Sequence, residues 1–264
     1  MTDGKNVRVE ENGRIVTVIL NRPDVRNAFQ PEMIRELTAV FGELSNRQDI
    51  SVIVLKGEGK SFCSGADLGY MKSMAGFSFE ENVRDSGELY DMFWTMRTCP
   101  HPIVARVHGH AMGGALGLIA VSDVVGAVEG TQFCFSEVKL GLAPAVISSF
   151  VLERMAPSHA RRYMLTGEVF GTDEALRSGL VHFAGDSAAV DAFIEKVAKT
   201  IARNGPEGVR ATKTLIMQVS AENDWNKRRE LTTRVIAERR ASAEGQEGLR
   251  AFFEKREPAW RPKE

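Results

Sequence analysis

The chain has 264 residues, 43 % hydrophobic and 26 % charged, and its 34 Lys and Arg against 35 Asp and Glu leave a net charge of −1. That mix describes a globular protein with a sizeable core, and the balance supplies neither a basic face for nucleic acid nor a footprint for an anionic membrane. The three cysteines, Cys63, Cys99 and Cys134, stand far apart with no Cys-x-x-Cys pair. This argues against a zinc site or a disulfide scaffold and for a reducing, cytoplasmic setting.

In chain order, Met1 to Arg14 is polar, mixed in charge and without an apolar signal core. Ile15 to Leu20 is a β-branched run closed by Asn21-Arg22-Pro23, which predicts a strand and a turn. Met33, Ile34, Leu37, Val40, Phe41 and Leu44 follow the helical period, with Pro31 in the first turn. Ser51 to Leu55 is nearly all apolar and predicts a strand buried on both faces. A helix is expected from roughly Phe79 to Thr98, a strand over Ile103 to Val107, and a strand over Val124 to Val128. Strands alternating with helices predict an α/β fold. From about Asp191 onward only helices are expected. Phe193, Ile194, Val197, Ala198 and Ile201 form one stripe, Asn204-Gly205-Pro206 stops it, and further helices centre on Leu215, Val235 and Phe252. The longest apolar stretch, Gly113 to Val121, is too short and glycine-rich to span a bilayer.

Two stretches stand out: Cys63-Ser64-Gly65-Ala66-Asp67-Leu68 and Gly109-His110-Ala111-Met112-Gly113-Gly114-Ala115. Each follows a predicted strand and places small residues where main-chain N–H groups can face a ligand. The second also opens a helix, whose N-terminus favours negative charge. Two such turns can aim two N–H groups at one oxygen, the geometry that stabilises charge developing on a carbonyl. The same glycines also suit tight turns and close packing, so the pattern by itself leaves both readings open. A nucleotide site is disfavoured, because Gly-x-x-x-Gly-Gly is not Gly-x-Gly-x-x-Gly and no Gly-Lys-Ser/Thr loop occurs. His108 and His110 lack partners at metal-ligand spacing, and no Gly-x-Ser-x-Gly elbow exists, so structural roles are expected for both. Asp123 is expected to position the neighbouring strand.

The chain resembles the enoyl-CoA hydratase/isomerase (crotonase) superfamily. The likeness runs through Asn21-Arg22-Pro23, Arg26-Asn27-Ala28, Phe62-Cys63-Ser64-Gly65-Ala66-Asp67-Leu68 and Val107-x-Gly109-x-Ala111-x-Gly113-Gly114. It continues through Ser122-Asp123, Phe133, Ser136-Glu137, Leu140-Gly141-Leu142, Leu165-Thr166-Gly167, Glu174-Ala175 and Gly179-Leu180-Val181. The resemblance implies a spiral of ββα units over residues 1–195 and a C-terminal helical oligomerisation region over residues 196–264, building a homotrimer or homohexamer. It implies an acyl-CoA thioester as substrate, with coenzyme A part of that substrate, no separate cofactor and no metal. By the same likeness the thioester oxygen would meet the main-chain N–H groups of Ala66 and Gly114. Arg26, Ala28, Ser64, Ala66, Asp67, Leu68 and Gly114 would line the CoA groove.

Family hydratases use two glutamates. The second in chain order corresponds to Glu137, expected to transfer the proton, with Phe133 and Phe135 raising its pKa. The first corresponds to Gly117, and Ala115-Leu116-Gly117-Leu118 holds no carboxylate. Ala66-Asp67-Leu68-x-Tyr70-Met71-Lys72, Gly117-Leu118 and Ser136-Glu137-Val138-Lys139-Leu140-Gly141-Leu142 resemble the methylglutaconyl-CoA hydratase-like bacterial branch. So do Pro144-Ala145-Val146-Ile147-Ser148 and Ala160-Arg161-Arg162. The implied activity is hydration of an α,β-unsaturated acyl-CoA, with a methylglutaconyl-CoA-type substrate in view. The alternatives are a Δ3-Δ2-enoyl-CoA isomerase using one glutamate, or a non-catalytic binder of CoA thioesters or RNA. Lys72 and Arg84, in the segment expected to flank the acyl pocket, read first as surface charges, and Lys255-Arg256 are candidates to approach CoA phosphates across a subunit boundary.

Overall fold

The computed structural model describes residues 4–261. In chain order its strands are β1 (Val7–Asn12), β2 (Ile15–Leu20), β3 (Val52–Gly57), β4 (Ile103–Val107), β5 (His110–Met112), β6 (Val124–Val128), β7 (Gln132–Cys134) and β8 (Phe183–Gly185). Six of them form one sheet in the order β1-β2-β3-β4-β6-β8. β1 and β2 are antiparallel and every other pair is parallel. β1 is absent from the sequence expectation because its polar residues hide it: Glu10, Glu11 and Asn12 are exposed. An edge strand needs only main-chain pairing to β2, from Val7 opposite Leu20 to Asn12 opposite Ile15.

The inner strands are apolar on both faces because helices cover both. Successive side chains alternate between faces. Ile53, Leu55, Ile103, Ala105, Val125 and Ala127 join the main core. Val52 and Val104, with Val54, Val124 and Val128, turn instead to a smaller cluster built on Val190, Ile194 and Ala198. Those last three belong to α8 (Ser187–Ala202), which runs unbroken through residue 195. On the main-core side lie α1 (Pro31–Ser45) and α3 (Phe79–Thr98), with α4 (Ala115–Val121) and α5 (Ala145–Arg154) beside them. α1 starts on Pro31 and buries Met33, Ile34, Leu37, Phe41 and Leu44, the expected stripe apart from the partly covered Val40. α3 begins with a capping box, Ser78 Oγ accepting from Glu81 N while Ser78 N donates to Glu81.

Beyond the sheet the chain continues through α2 (Leu68–Met74), α6 (Pro157–Thr166), α7 (Thr172–Arg177), α9 (Pro206–Ala221), α10 (Trp225–Ala241) and α11 (Ala243–Glu254). α9 is fastened to the core by one buried cation. Lys213 Nζ lies 2.7 Å from Asp123 Oδ2 and donates to His101 O at 3.0 Å. The same Asp123 oxygen accepts from Ile103 N at 2.7 Å, so this carboxylate does hold the start of β4. Among the described residues no helix is long and apolar enough to cross a membrane.

A second layer of pairing places the site. β5 pairs with β7, Cys63 bridges Ala111, and Phe29 bridges Ala66. The segments that follow β2, β3, β4 and β6 are thereby brought side by side.

Candidate active site

The two glycine-rich stretches form turns that touch. Phe62 N donates to His108 O, Cys63 N to His110 O, and Met112 N back to Cys63 O at 3.1 Å. At the first turn Gly65 has φ +87°, and a Cβ there would stand 2.8 Å from Met112 O, so only glycine allows this approach. At the second, Gly113 has φ +52° and its N–H is taken by Cys134 O at 2.9 Å.

The residue after each of these glycines keeps its N–H unused. Phe29 straddles Ala66: Phe29 N donates to Gly65 O at 2.7 Å and Asp67 N to Phe29 O at 2.8 Å. Ala66 N–H takes no part in that bridge and in no other hydrogen bond among the described residues. Gly114 stands at the N-cap of α4, where the first N–H groups of a helix lack partners within it, and its N–H is likewise unengaged among the described residues. α4 is only seven residues long. Its dipole is therefore small, and the donor strength lies in the individual N–H groups rather than in the helix.

Glu137 opens a short 3-10 turn, Glu137–Leu140, that follows β7. Its carboxylate reaches the second glycine turn, with Oε1 3.4 Å and Cδ 3.7 Å from where a Cβ on Gly113 would be. Oε2 is buried and has no hydrogen-bond partner among the described residues. Phe133 and Phe135 are fully buried nearby in sequence. Burial pushes the carboxyl above its ordinary 4.5, the direction expected from the sequence, and the turn's main chain only partly opposes it. A half-buried carboxyl with one unpaired oxygen and a raised pKa is suited to taking and returning a proton.

Gly117 lies one helical turn beyond Gly114, and the structure shows why it is glycine. A Cβ there would sit 2.5 Å from Phe93 Cζ and 2.8 Å from Ile147 Cγ2. The place that the resemblance gives to the first glutamate is shut by a ring from α3 and a methyl from α5. This apolar wall extends further. Phe93 stands edge-on to Phe29 at 6.4 Å and tilted against Phe150 at 5.7 Å, and Phe29 in turn lies 3.1 Å from the Cβ position of Gly114.

The remaining expected residues surround the first turn. Arg26 is exposed, left-handed at φ +52°, and its carbonyl accepts from Ser64 N at 3.0 Å. Ala28 is buried, and its carbonyl accepts a hydrogen bond from Arg22. Ser64 Oγ donates to Val25 O at 3.4 Å, and Leu68 is 78 % exposed. The Asp67 carboxylate caps α2 through Gly69 N at 2.8 Å and pairs with Arg22 at 3.1 Å. Burial works against its charge, but these N–H donors and the guanidinium outweigh it and hold the carboxyl below its usual range. Lys72 and Arg84 are both exposed, and Arg256 is paired with Glu247 and Glu254. His108 Nε2 meets Gly59 O at 2.9 Å and His110 Nδ1 meets Ser61 Oγ at 3.0 Å, so both are tied into the turns.

Sequence reasoning missed three contributors. Arg22 ties Ala28 and Asp67 together, Asn27 is fully buried and bonds Arg22 N, Glu58 O and Ser61 O, and the Phe93–Ile147 pair closes the Gly117 wall. Phe93 falls within the helix expected over Phe79 to Thr98, but its meeting with Gly117 carried no sequence signal. An apolar cleft of about 550 Å³ beside α9, lined by residues such as Val124, Ile201, Val209 and Ile216, shares no residue with the Ala66, Gly114 and Glu137 group.

Residues 10–263 match the family model described as Enoyl-CoA hydratase/isomerase. The enoyl-CoA hydratase ACTT6 of Alternaria alternata is 34 % identical over 225 residues, covering 83 % of this chain and 72 % of that protein. An enoyl-CoA hydratase structure from Shewanella pealeana superposes with a TM-score of 0.93 at 39 % identity, covering 97 % of this chain and 96 % of that one. AtuE of Pseudomonas aeruginosa does so with a TM-score of 0.93 at 34 % identity, covering 97 % and 99 %.

Proposed function

We propose that this chain, which belongs to the enoyl-CoA hydratase/isomerase family and has its mixed α/β, crotonase-like fold, adds water across the double bond of an α,β-unsaturated acyl-CoA. One observation carries the reading: two unengaged main-chain N–H groups, Ala66 and Gly114, on touching turns, with the Glu137 carboxylate, its Oε2 unpaired, against the second turn.

The chemistry follows from that arrangement. The thioester oxygen accepts from both N–H groups, which makes the β-carbon electrophilic and stabilises the enolate that forms. Each such donor typically lowers the barrier by about 3 kcal/mol. Water attacks the β-carbon as one of its protons passes to Glu137. The enolate then takes that proton at its α-carbon, so hydroxyl ends on Cβ, hydrogen on Cα, and Glu137 returns to its starting state. Arg26, Ala28, Ser64 and Leu68 edge the first turn, where the CoA portion would lie.

A second reading, Δ3-Δ2-enoyl isomerisation, is favoured by one observation. Phe93 and Ile147 close the Gly117 wall, leaving one carboxylate, which is enough to carry a proton between two carbons. A methylglutaconyl-CoA-type acyl group rests on motif likeness, with exposed Lys72 and Arg84 as the cations its distal carboxylate would meet. Assembly as a homotrimer or homohexamer is supported by apolar side chains left in water, among them Leu140, Leu142, Leu165, Phe252 and Phe253. Three buried free thiols accord with a cytoplasmic setting.

Product analysis tests the function. With a 2-enoyl-CoA, hydration yields the 3-hydroxyacyl-CoA. Conversion of a 3-enoyl-CoA to the 2-enoyl-CoA without a hydroxy product would replace hydration by isomerisation, and no turnover of either would defeat both readings.

A further inference from the structure

If the chain hydrates with one carboxylate, a second polar group must hold the water in place of the one excluded at Gly117. We infer that the Ser136 hydroxyl is this positioning group, an inference that rests on the hydratase reading.

Ser136 precedes Glu137 and occupies the N-cap position of the Glu137–Leu140 turn. A serine there ordinarily uses its hydroxyl to accept from a main-chain N–H one turn on. Ser136 does not: its φ of −79° and ψ of −10° are helical, and it makes no side-chain cap. Its Oγ enters no hydrogen bond among the described residues. Instead Oγ lies 3.4 Å from where a Cβ on Gly113 would stand, the same distance as Glu137 Oε1 from that point. A hydroxyl and a carboxylate from consecutive residues thus flank one glycine, and the next residue, Gly114, carries one of the two free N–H groups. The residue is half-buried and so remains within reach of a bound water.

The division of labour is chemical. Glu137 takes a proton from water and delivers it to the α-carbon. The serine oxygen accepts the water's other hydrogen, which stays on the new hydroxyl, so Ser136 neither gains nor loses a proton over the cycle. Exchange of an α-proton needs the N–H pair and Glu137 but no water at the β-carbon, and it therefore does not need Ser136.

Wild type, Ser136→Ala and Ser136→Thr are compared in two assays: hydration of a 2-enoyl-CoA, and exchange of the α-proton of the saturated acyl-CoA in deuterium oxide. Ser136→Ala is expected to lose about tenfold or more in hydration, the scale of one lost hydrogen bond in a transition state, while exchange stays within about twofold. Ser136→Thr, which keeps the hydroxyl, is expected to retain hydration. Undiminished hydration in Ser136→Ala, or an equal fall in both assays, overturns the role. Wild type that exchanges but never hydrates refutes the role of Ser136 and leaves the Glu137 site standing. Wild type that does neither refutes the enoyl-CoA reading, and the serine's role with it.

Discussion

The two sides of the site are built on opposite principles. On one side the chain leaves polar groups unsatisfied: the Ala66 and Gly114 N–H groups and Glu137 Oε2 have no partner among the described residues. On the other side, only one helical turn from Gly114, every gap is filled, and Phe93 and Ile147 press against Gly117 so closely that even a methyl group would collide. Ala66 is exposed and Gly114 half-buried, so their N–H groups stand open to solvent or to a ligand. Of the unsatisfied groups only Glu137 Oε2 is buried, and an unpaired buried polar atom costs stability, so a fold keeps one where a ligand completes it. A packed apolar wall does the reverse: it stabilises the chain and leaves no room for a carboxylate beside Gly117. The missing first carboxylate is thus matched by the packing, because side chains from α3 and α5 fill the space beside Gly117.

Three substitutions separate the two sides. The largest effect is expected on the polar side. Glu137→Gln removes the proposed proton carrier and should lower turnover by about a hundredfold or more while acyl-CoA binding persists; steady-state rates with a binding titration check both. Turnover at the wild-type rate would mean that the unpaired carboxylate is not the working group.

On the apolar side the effect should fall on stability. Gly117→Ala gains up to about 1 kcal/mol of helix propensity, but its methyl meets Phe93, and overpacking of this kind costs about 1–3 kcal/mol. A net loss in denaturant unfolding is expected, with part of it recovered when Phe93→Leu is added. A neutral Gly117→Ala would show that the wall yields and that the contrast between the sides is overdrawn.

The smallest effect is a pH dependence. Burial raises the Glu137 pKa above 4.5. Below 4.5 the carboxyl is neutral in the folded and unfolded chain alike, so its contribution is fully present. As pH rises through the raised folded value, the folded chain must hold a buried charge that the unfolded chain carries in water, and that contribution is lost. Glu137→Gln should therefore match wild type in thermal stability at acid pH and exceed it near neutrality. A constant difference across the range would contradict the burial of this group.

The parts of the fold that were legible in the sequence are those where local pattern and tertiary environment agree. The strand over Ile103–Val107 and the helix over Phe79–Thr98 appear with the expected ends, because apolar runs and caps are local signals. β1 escaped because an exposed edge strand needs no apolar pattern, and β5, β7 and β8 because three residues are too few to show one. In the site, the glycine turns were visible as composition, and the likeness to a family singled out Ala66, Gly114 and Glu137. The structure brings the turns carrying them into contact. What fills the Gly117 wall was not readable: Phe93 lies 24 positions away and Ile147 30 positions away (117 − 93 and 147 − 117), and their meeting is decided by how α3 and α5 pack on α4. Likewise nothing local distinguishes a serine that caps a turn from one whose hydroxyl turns aside to a glycine.

The most direct measurement concerns the bond that the two N–H groups are held to polarise. Infrared difference spectra of an acyl-CoA carrying a ¹³C thioester carbonyl, bound to the Glu137→Gln chain so that no turnover intervenes, report the strength of that C=O bond. Two donors on one oxygen predict a carbonyl stretch shifted clearly below that of the same thioester free in water. A bound carbonyl at the free frequency would mean that Ala66 and Gly114 do not converge on it.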